Sequence, residues 1–130
     1  MTTAVEVAEK GHQLAAWVNF KGTLAMTVGS SYGPDAPPAD YSSPNPIRAA
    51  YNVDYIIDLG TGYYEIHFEN EMPDANYSVV GMCSGTGSPN RALAHAQDTT
   101  VVNGSVRVKS FSTSGNVLTD EASINVAIFR

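Results

Sequence analysis

Residues 55–69 read YIIDLGTGYYEIHFE, and they carry the clearest structural pattern in the chain. The apolar residues of the second half lie at every other position: Tyr64, Ile66 and Phe68. Such alternation is typical of a β-strand that buries one face and leaves the other polar. The Gly-Thr-Gly at 60–62 suits a short loop back to a strand over 55–59. The stretch therefore predicts an antiparallel hairpin.

A second hairpin is predicted around the Asn-Gly pair at 103–104, because Asn-Gly is the preferred pair of a type I′ turn. It would join residues 99–102 to a strand over 105–111. Alternation assigns side chains of this strand to two faces. The inward residues are Val106 and Val108, and the water-facing residues are Arg107 and Lys109.

Shorter stretches extend the pattern towards both ends of the chain. Alternation predicts strands at 16–20, 47–53 and 124–128, the last with Ile124, Val126 and Ile128 facing the core. Residues 77–83 are apolar on both parities, which predicts a central strand covered on both faces. About seven to nine short strands in one chain predict an all-β fold, an antiparallel β-sandwich or flattened barrel.

The predicted domain organisation is an N-terminal arm at 1–15 and a single β-sandwich domain at 16–130. Two long loops interrupt the strands, at 29–46 and 84–98. The first is rich in proline, which lacks the backbone N–H that a strand ladder needs. In the second, residues 91–95 are compatible with one helical turn. Loops of this length often carry function.

Charge and composition exclude several classes of partner. The chain has 7 Lys and Arg against 13 Asp and Glu, a net charge of −6. This sign disfavours nucleic acid and anionic lipid, and no apolar run approaches the ~20 residues that span a bilayer. Charged side chains in residues 1–16 interrupt any secretion signal. The chain is therefore expected to be soluble. Its single cysteine cannot form an internal disulfide, which fits a protein made in a reducing cytoplasm.

No residue pattern predicts an enzyme. Asp58 and Glu65 could meet across the first hairpin as a glycosidase pair, but acidic residues on an exposed strand face are usually solvated. The three histidines lack metal-ligand spacing, so no metal or cofactor is expected. Cys83 has no neighbouring histidine or cation cluster to lower its thiol pKa, and we expect it to be buried and structural.

Candidate ligand-binding residues come from the two long loops and their borders. Tyrosine offers a flat ring for sugar stacking and a hydroxyl for specificity. The alternative for the tyrosines is that they only pack the loop against the sheet. Trp17 is expected to fill the core or a subunit contact. The candidates are Tyr32, Tyr41, Arg48, Asn90, Arg91 and His95.

Six short segments, taken in order, resemble a known family. They are AWVNF at 16–20, IRAAYNV at 47–53, GTG at 60–62, MPDANYSVVG at 72–81, VRVKSF at 106–111 and INVAIF at 124–129. Together they resemble the C-terminal domain of bacteriophage tail fibres and related phage structural proteins, frequent in marine and cyanobacterial phages. The MPDANY segment combined with WVNF is the most specific part. Residues 29–46 and 87–97 depart from the family pattern.

The resemblance implies a virion protein of the tail or particle surface, made in the host cytoplasm. It implies a homotrimer that contacts other virion proteins and a host surface polysaccharide or receptor. A second hypothesis is a capsid decoration or assembly adaptor protein with a purely structural role. A third is a carbohydrate-binding module of a cellular protein. Apolar residues on both faces of 77–83 are the direct sign of a subunit contact.

Overall fold

The computed structural model describes residues 13–34, 45–85, 90–96 and 102–130. Within these ranges the chain forms ten β-strands in two antiparallel sheets that pack as a sandwich, which confirms the predicted fold class. The strands are β1 (Leu14–Phe20), β2 (Ser31–Tyr32), β3 (Ile47–Tyr51), β4 (Val53–Gly60), β5 (Tyr63–Phe68), β6 (Ser78–Ser84), β7 (Arg91–His95), β8 (Ser105–Ser112), β9 (Val117–Leu118) and β10 (Ser123–Phe129).

Sheet A has the strand order β3-β1-β10-β6, and sheet B has the order β2-β4-β5-β8-β7, with β9 paired to β8. The strands β1 and β10, from opposite ends of the chain, pair in the middle of sheet A. Residues 14 and 15 of the predicted N-terminal arm belong to β1, and residues 1–12 lie outside the described ranges.

The core lies between the sheets and follows the alternation of the sequence. Every second residue is buried in β5 and in most of β1, β8 and β10. Phe20 of sheet A meets Tyr64 of sheet B edge-on, with ring centroids 4.9 Å apart. Burial of such side chains is the main force that holds the two sheets together. The confirmed inward residues are Tyr64, Ile66, Phe68, Val106, Val108, Ile124, Val126 and Ile128.

The first predicted hairpin is confirmed as β4 and β5. Its loop contains two glycines with positive φ, Gly60 at 137° and Gly62 at 63°. The Gly62 carbonyl accepts the Ser110 N–H at 2.8 Å, and the Gly62 N–H donates to Asp120 at 2.7 Å. These bonds tie the hairpin loop to β8 and to the segment before β10.

The second predicted hairpin is wrong in its turn and in its partner strand. Neither Asn103 nor Gly104 has the positive φ that a type I′ turn requires. The strand β8 pairs with β5 and β7, so β7 takes the place assigned to residues 99–102, of which only Val102 is described. The Gly104 carbonyl accepts the Phe68 N–H at 2.9 Å, and such contacts with β5 outweigh a local turn preference.

The strand predicted at 77–83 forms as β6, but it is an edge strand of sheet A rather than a central strand. One of its faces packs against the core through Val79 and Cys83. The opposite face carries Val80 and Met82, which are 55% and 75% exposed. The expectation that both faces are covered is therefore wrong for the single chain, which leaves one apolar face open.

Both predicted long loops contain strands. Residues 91–95 form β7 rather than a helical turn, because their backbone pairs along β8. The missing side chain at Gly81 leaves room for Leu93, since a Cβ there would lie 2.4 Å from Leu93 Cδ2. The loop predicted at 29–46 contains β2, which pairs with β4, and its residues 35–44 lie outside the described ranges.

The alternating stretch at 47–53 is divided between the two sheets at Asn52, where φ is 52°. Asparagine enters this left-handed region more readily than most residues. The Asn52 Nδ2 donates to the carbonyls of Ala15 at 3.0 Å and Asn70 at 3.1 Å, and Oδ1 accepts the Asn70 N–H at 2.7 Å. The side chain thus fixes the bend that takes the chain from β3 into β4.

Candidate functional site

Two of the residues predicted to bind a ligand, Tyr32 and Arg48, make contacts that hold the fold together. Tyr32 lies on β2 at one edge of sheet B, where its hydroxyl accepts the Thr27 N–H at 2.8 Å and its side chain packs against the core. Arg48 lies on β3 at one edge of sheet A. It donates to the Ala122 carbonyl at 2.8 Å and to Asn19 at 3.1 Å.

Asn90, Arg91 and His95 lie on or beside β7, at the opposite edge of sheet B from Tyr32. The Arg91 Nε is 2.7 Å from the carboxylate of Glu121, which is only 2% exposed. The strand register places His95 half-buried on the core-facing side of β7. The Asn90 carbonyl accepts a backbone N–H at 3.1 Å.

The selected residues do not form one site. Tyr32 and Arg91 belong to strands at the two ends of sheet B, and Arg48 belongs to the other sheet. Tyr41 lies outside the described residues. Membership of two long loops does not predict proximity, because a sequence does not show that the loops leave a sheet from opposite edges.

The outer side of sheet A carries a continuous apolar surface, which we call the apolar face. Its central row crosses all four strands, because Tyr51, Trp17, Ala127 and Val80 are successive register partners. Met82 lies in the next row of the same side. The apolar face consists of Trp17, Tyr51, Val80, Met82, Ala127 and Phe129.

A shallow depression crosses the apolar face between Trp17 and the pair of Val80 and Met82. Asn19 and Asn125 form its polar border, where their side chains bond to each other. Contiguous exposed apolar surface usually marks an interaction site. The sequence signal for this surface is the apolar character of 77–83 on both parities, together with Trp17 in the middle of β1.

On the outer side of sheet B, the centres of β5 and β8 carry polar side chains whose charges are paired. The Glu65 carboxylate accepts hydrogen bonds from Arg107 on β8 and from His67 on its own strand. Burial of Glu65 opposes ionisation, but these two bonds outweigh it and hold the pKa of the carboxyl below its usual value. The Lys109 ammonium lies 4.6 Å from the centroid of the Tyr63 ring. The predicted polar face of β5 is therefore confirmed.

An open groove lies where β4 and β5 meet the loop before β8, and we call it the end groove. The Tyr55 and His67 rings stack along one side, with centroids 4.3 Å apart and an interplanar angle of 18°. On the other side, Glu71 Oε1 is 3.3 Å from the position that a Cβ on Gly104 would take. The residues that line the end groove include Asp54, Tyr55, His67, Glu71, Asn103 and Gly104.

Two carboxylates at the opposite end of β4 and β5, those of exposed Asp120 and buried Asp58, have structural partners. Asp120 accepts the Tyr64 hydroxyl and the Gly62 N–H, both at 2.7 Å. Asp58 accepts the Gly60 N–H at 2.9 Å. Burial, with the Asp120 charge as a smaller contribution, raises the pKa of Asp58 despite this bond. Burial and the Asp120 hydrogen bond raise the pKa of Tyr64, so its hydroxyl remains a donor.

The geometry excludes Asp58 and Glu65 as a glycosidase pair. Asp58 is opposite Tyr64 and faces the core, whereas Glu65 is on the outer side of the sheet. The two carboxylates cannot flank one sugar bond. Burial, followed by the Glu121 charge, raises the pKa of the Cys83 thiol and disfavours the reactive thiolate. In the described ranges no group of three His, Cys, Asp or Glu could hold a metal ion.

Comparison with known proteins adds no family assignment, because no family model, curated protein or solved structure matches the chain. Among the described residues there is no helix long and apolar enough to cross a membrane.

Proposed function

We propose that this chain is a non-enzymatic bacteriophage virion protein, a tail-fibre or tail-tip module that assembles as a homotrimer and contacts the host surface. The ordered segments that resemble phage tail-fibre domains supply the biological setting. The apolar face is the structural observation that carries the proposal, because a displayed monomer would leave this surface in water.

The apolar face has the composition of a subunit interface. Tyr51, Val80 and Met82 are 56%, 55% and 75% exposed, and the central row contains no charged side chain. Aromatic residues and methionine are enriched at protein interfaces, and charged residues are depleted at their centres. Burial of this row would remove apolar surface from water without burying a charge.

A second copy of the same chain is the proposed occupant. Each copy carries a net charge of −6, so copies repel each other through most of their surface. At the apolar face, two copies can approach without placing like charges in contact. Three apolar faces turned towards a common axis form a closed cyclic assembly. The outer side of sheet B, which carries the paired charges of β5 and β8, would then face outward, where it is accessible to a host.

Cryo-electron microscopy of purified phage particles tests this proposal. The expected result is a trimer at the tail, with the three apolar faces at the axis and sheet B outward. Absence of the chain from purified particles would overturn the virion assignment. A chain on the particle whose apolar face remains in water would overturn the proposed assembly.

A capsid decoration or assembly adaptor protein is the second candidate, because the apolar face could also pack on another virion protein. Replacement of residues 35–44 by a glycine-serine segment of equal length separates the two, and it leaves β2 intact. Complete particles that no longer adsorb to the host favour attachment, whereas particles that lack the protein favour the adaptor. Sugar binding by a monomer absent from particles would favour a carbohydrate-binding module of a cellular protein.

A further inference from the structure

We infer that the end groove is a binding site for a neutral or amino-bearing saccharide. This inference deepens the proposed function and rests on it for its biological setting, a glycan of the host surface. The groove lies on sheet B, whereas the proposed assembly uses the outer side of sheet A. Both surfaces can therefore be occupied at the same time.

The aromatic side of the groove is held in a fixed orientation. The stacked pair of Tyr55 and His67 cannot rotate freely, because His67 Nε2 is also bonded to Glu65. Arg107 fixes Glu65 from the neighbouring strand. A ring wall that needs no ordering on binding loses little conformational entropy when a ligand arrives. The apolar C–H face of a sugar packs well against such a surface.

The opposite side is a loop that three neighbouring residues hold in place. The Gly104 and Asn103 carbonyls accept the N–H groups of Phe68 and Met72, both at 2.9 Å. The Tyr77 hydroxyl lies 2.9 Å from the carbonyls that begin and end this loop, those of Val102 and Ser105. Burial raises the pKa of Tyr77 to about 12, so the hydroxyl stays protonated and continues to donate at neutral pH.

Polar groups in the groove are available for a ligand. Among the described residues, the carboxylates of Asp54 and Glu71 make no hydrogen bond or ion pair, and both residues are exposed. A carboxylate accepts hydrogen bonds from sugar hydroxyls and pairs with an ammonium group. The Asn103 amide can both donate and accept.

Charge decides the class of saccharide. Two free carboxylates border the groove, and the nearby guanidinium of Arg107 is already engaged by Glu65. The described lining of the groove contains no lysine or arginine, so an anionic sugar would meet like charge there without a cation to balance it. A neutral sugar satisfies the carboxylates with hydroxyl donors, and an amino sugar adds an opposite charge. The open shape of the groove suits a segment of a chain polymer rather than an engulfed metabolite.

Amide NMR titration of the whole chain with three tetrasaccharides tests the inference. The probes are tetramers of glucosamine, of N-acetylglucosamine and of galacturonic acid, which are cationic, neutral and anionic. The first two are expected to shift the amide signals of Tyr55, His67 and Gly104 at millimolar concentrations or below. Galacturonate is expected to leave them unchanged.

A double variant with Asp54→Asn and Glu71→Gln keeps the shape of the groove and removes both charges. Its affinity for the glucosamine tetramer is expected to fall about tenfold or more, with a smaller loss for the neutral tetramer. Glu69→Gln is the matched control, because Glu69 is an exposed acid of the same region that does not line the groove. Its affinity is expected to equal that of the parent chain.

Several outcomes would overturn the inference: no shifts in the groove with any probe, shifts scattered over the surface, or equal binding of galacturonate. An equal loss of affinity in Glu69→Gln would also overturn it, because the effect would then follow net charge alone. These results leave the proposed function standing if the chain is found on particles. Conversely, saccharide binding by a chain absent from particles would overturn the virion assignment and keep the groove assignment.

Discussion

At Gly62 the backbone has a φ of 63°, and a Cβ would lie 2.4 Å from the Ser110 carbonyl oxygen. Gly62→Ala is expected to lower the free energy of unfolding by about 3 kcal/mol or more, because left-handed strain of about 1–2 kcal/mol adds to a clash with backbone. Urea denaturation measures the loss.

Gly29→Ala is the matched control for this prediction. Gly29 also has a left-handed φ, 84°, but among the described residues no atom beyond Gly29 and its two chain neighbours lies within 4 Å of a Cβ built there. Only the conformational strain of about 1–2 kcal/mol is therefore expected. Equal losses in the two variants would show that the contact with Ser110 does not limit position 62.

Asp58 is a buried carboxyl whose raised pKa makes its charge unfavourable in the folded state. Asp58→Asn keeps an oxygen to accept the Gly60 N–H and removes the charge, so we expect the variant to be at least as stable as the parent at pH 7. Urea denaturation across the pH range measures the difference between the two.

The sign of the pH dependence follows from the direction of the Asp58 shift. A carboxyl with a raised folded pKa binds more protons when folded, so the parent chain gains stability as pH falls from its folded pKa towards its unfolded pKa. The advantage of Asp58→Asn should therefore be largest at neutral pH and shrink on acidification. An advantage that grows as pH falls would contradict the raised pKa.

At the scale of elements, Asn52 determines where β3 ends and β4 begins. Asn52→Ala removes four hydrogen bonds and leaves a left-handed alanine, and a loss of about 2–4 kcal/mol is expected. Asn52→Gly removes the same bonds but tolerates the backbone, so its loss should be about 1 kcal/mol smaller. Equal losses by urea denaturation would mean that the backbone conformation contributes nothing.

For strand β6, the sequence pattern predicts the strand but not its place in the sheet. Its apolar residues on both parities were sufficient to predict a strand, and the strand forms. Strand β6 lies at the edge of sheet A because it pairs with β10 along one side and with no described strand along the other. Pairing partners are distant in sequence, and no local pattern identifies them.

For strand β7, the local sequence predicts the wrong type of element. A short Arg-Ala-Leu-Ala-His segment favours a helical turn locally, because alanine and leucine are strong helix formers. Five register pairs with β8 and the space beside Gly81 for Leu93 outweigh that preference. A segment this short follows its tertiary contacts rather than its own propensity.

At the scale of the whole molecule, the apolar face should control assembly. Met82→Lys places a charge in the proposed interface and is expected to shift the trimer towards folded monomers, as measured by sedimentation velocity with circular dichroism as the test of folding. Val117→Lys is the matched control, because Val117 is 58% exposed on β9 and lies outside the apolar face. It should remain trimeric.

Two results would contradict this prediction. One is a parent chain that stays monomeric at every concentration tested. The other is a Met82→Lys variant that remains as trimeric as Val117→Lys, because Met82 would then lie outside any subunit contact.

The sequence by itself determined the all-β class, the first hairpin and most of the inward residues of β5, β8 and β10. These features depend on a period of two and on loop glycines, which a chain carries locally. Tertiary structure alone decided which sheet each strand joins, the bend at Asn52 and the partner of β8. It also assembled the two candidate surfaces, since Trp17 meets Ala127 across the β1–β10 pair and Tyr55 meets His67 across β4 and β5. The Trp17–Ala127 contact joins positions far apart in the chain. Whether a strand face is exposed depends on how all the other strands pack. Local patterns encode neither.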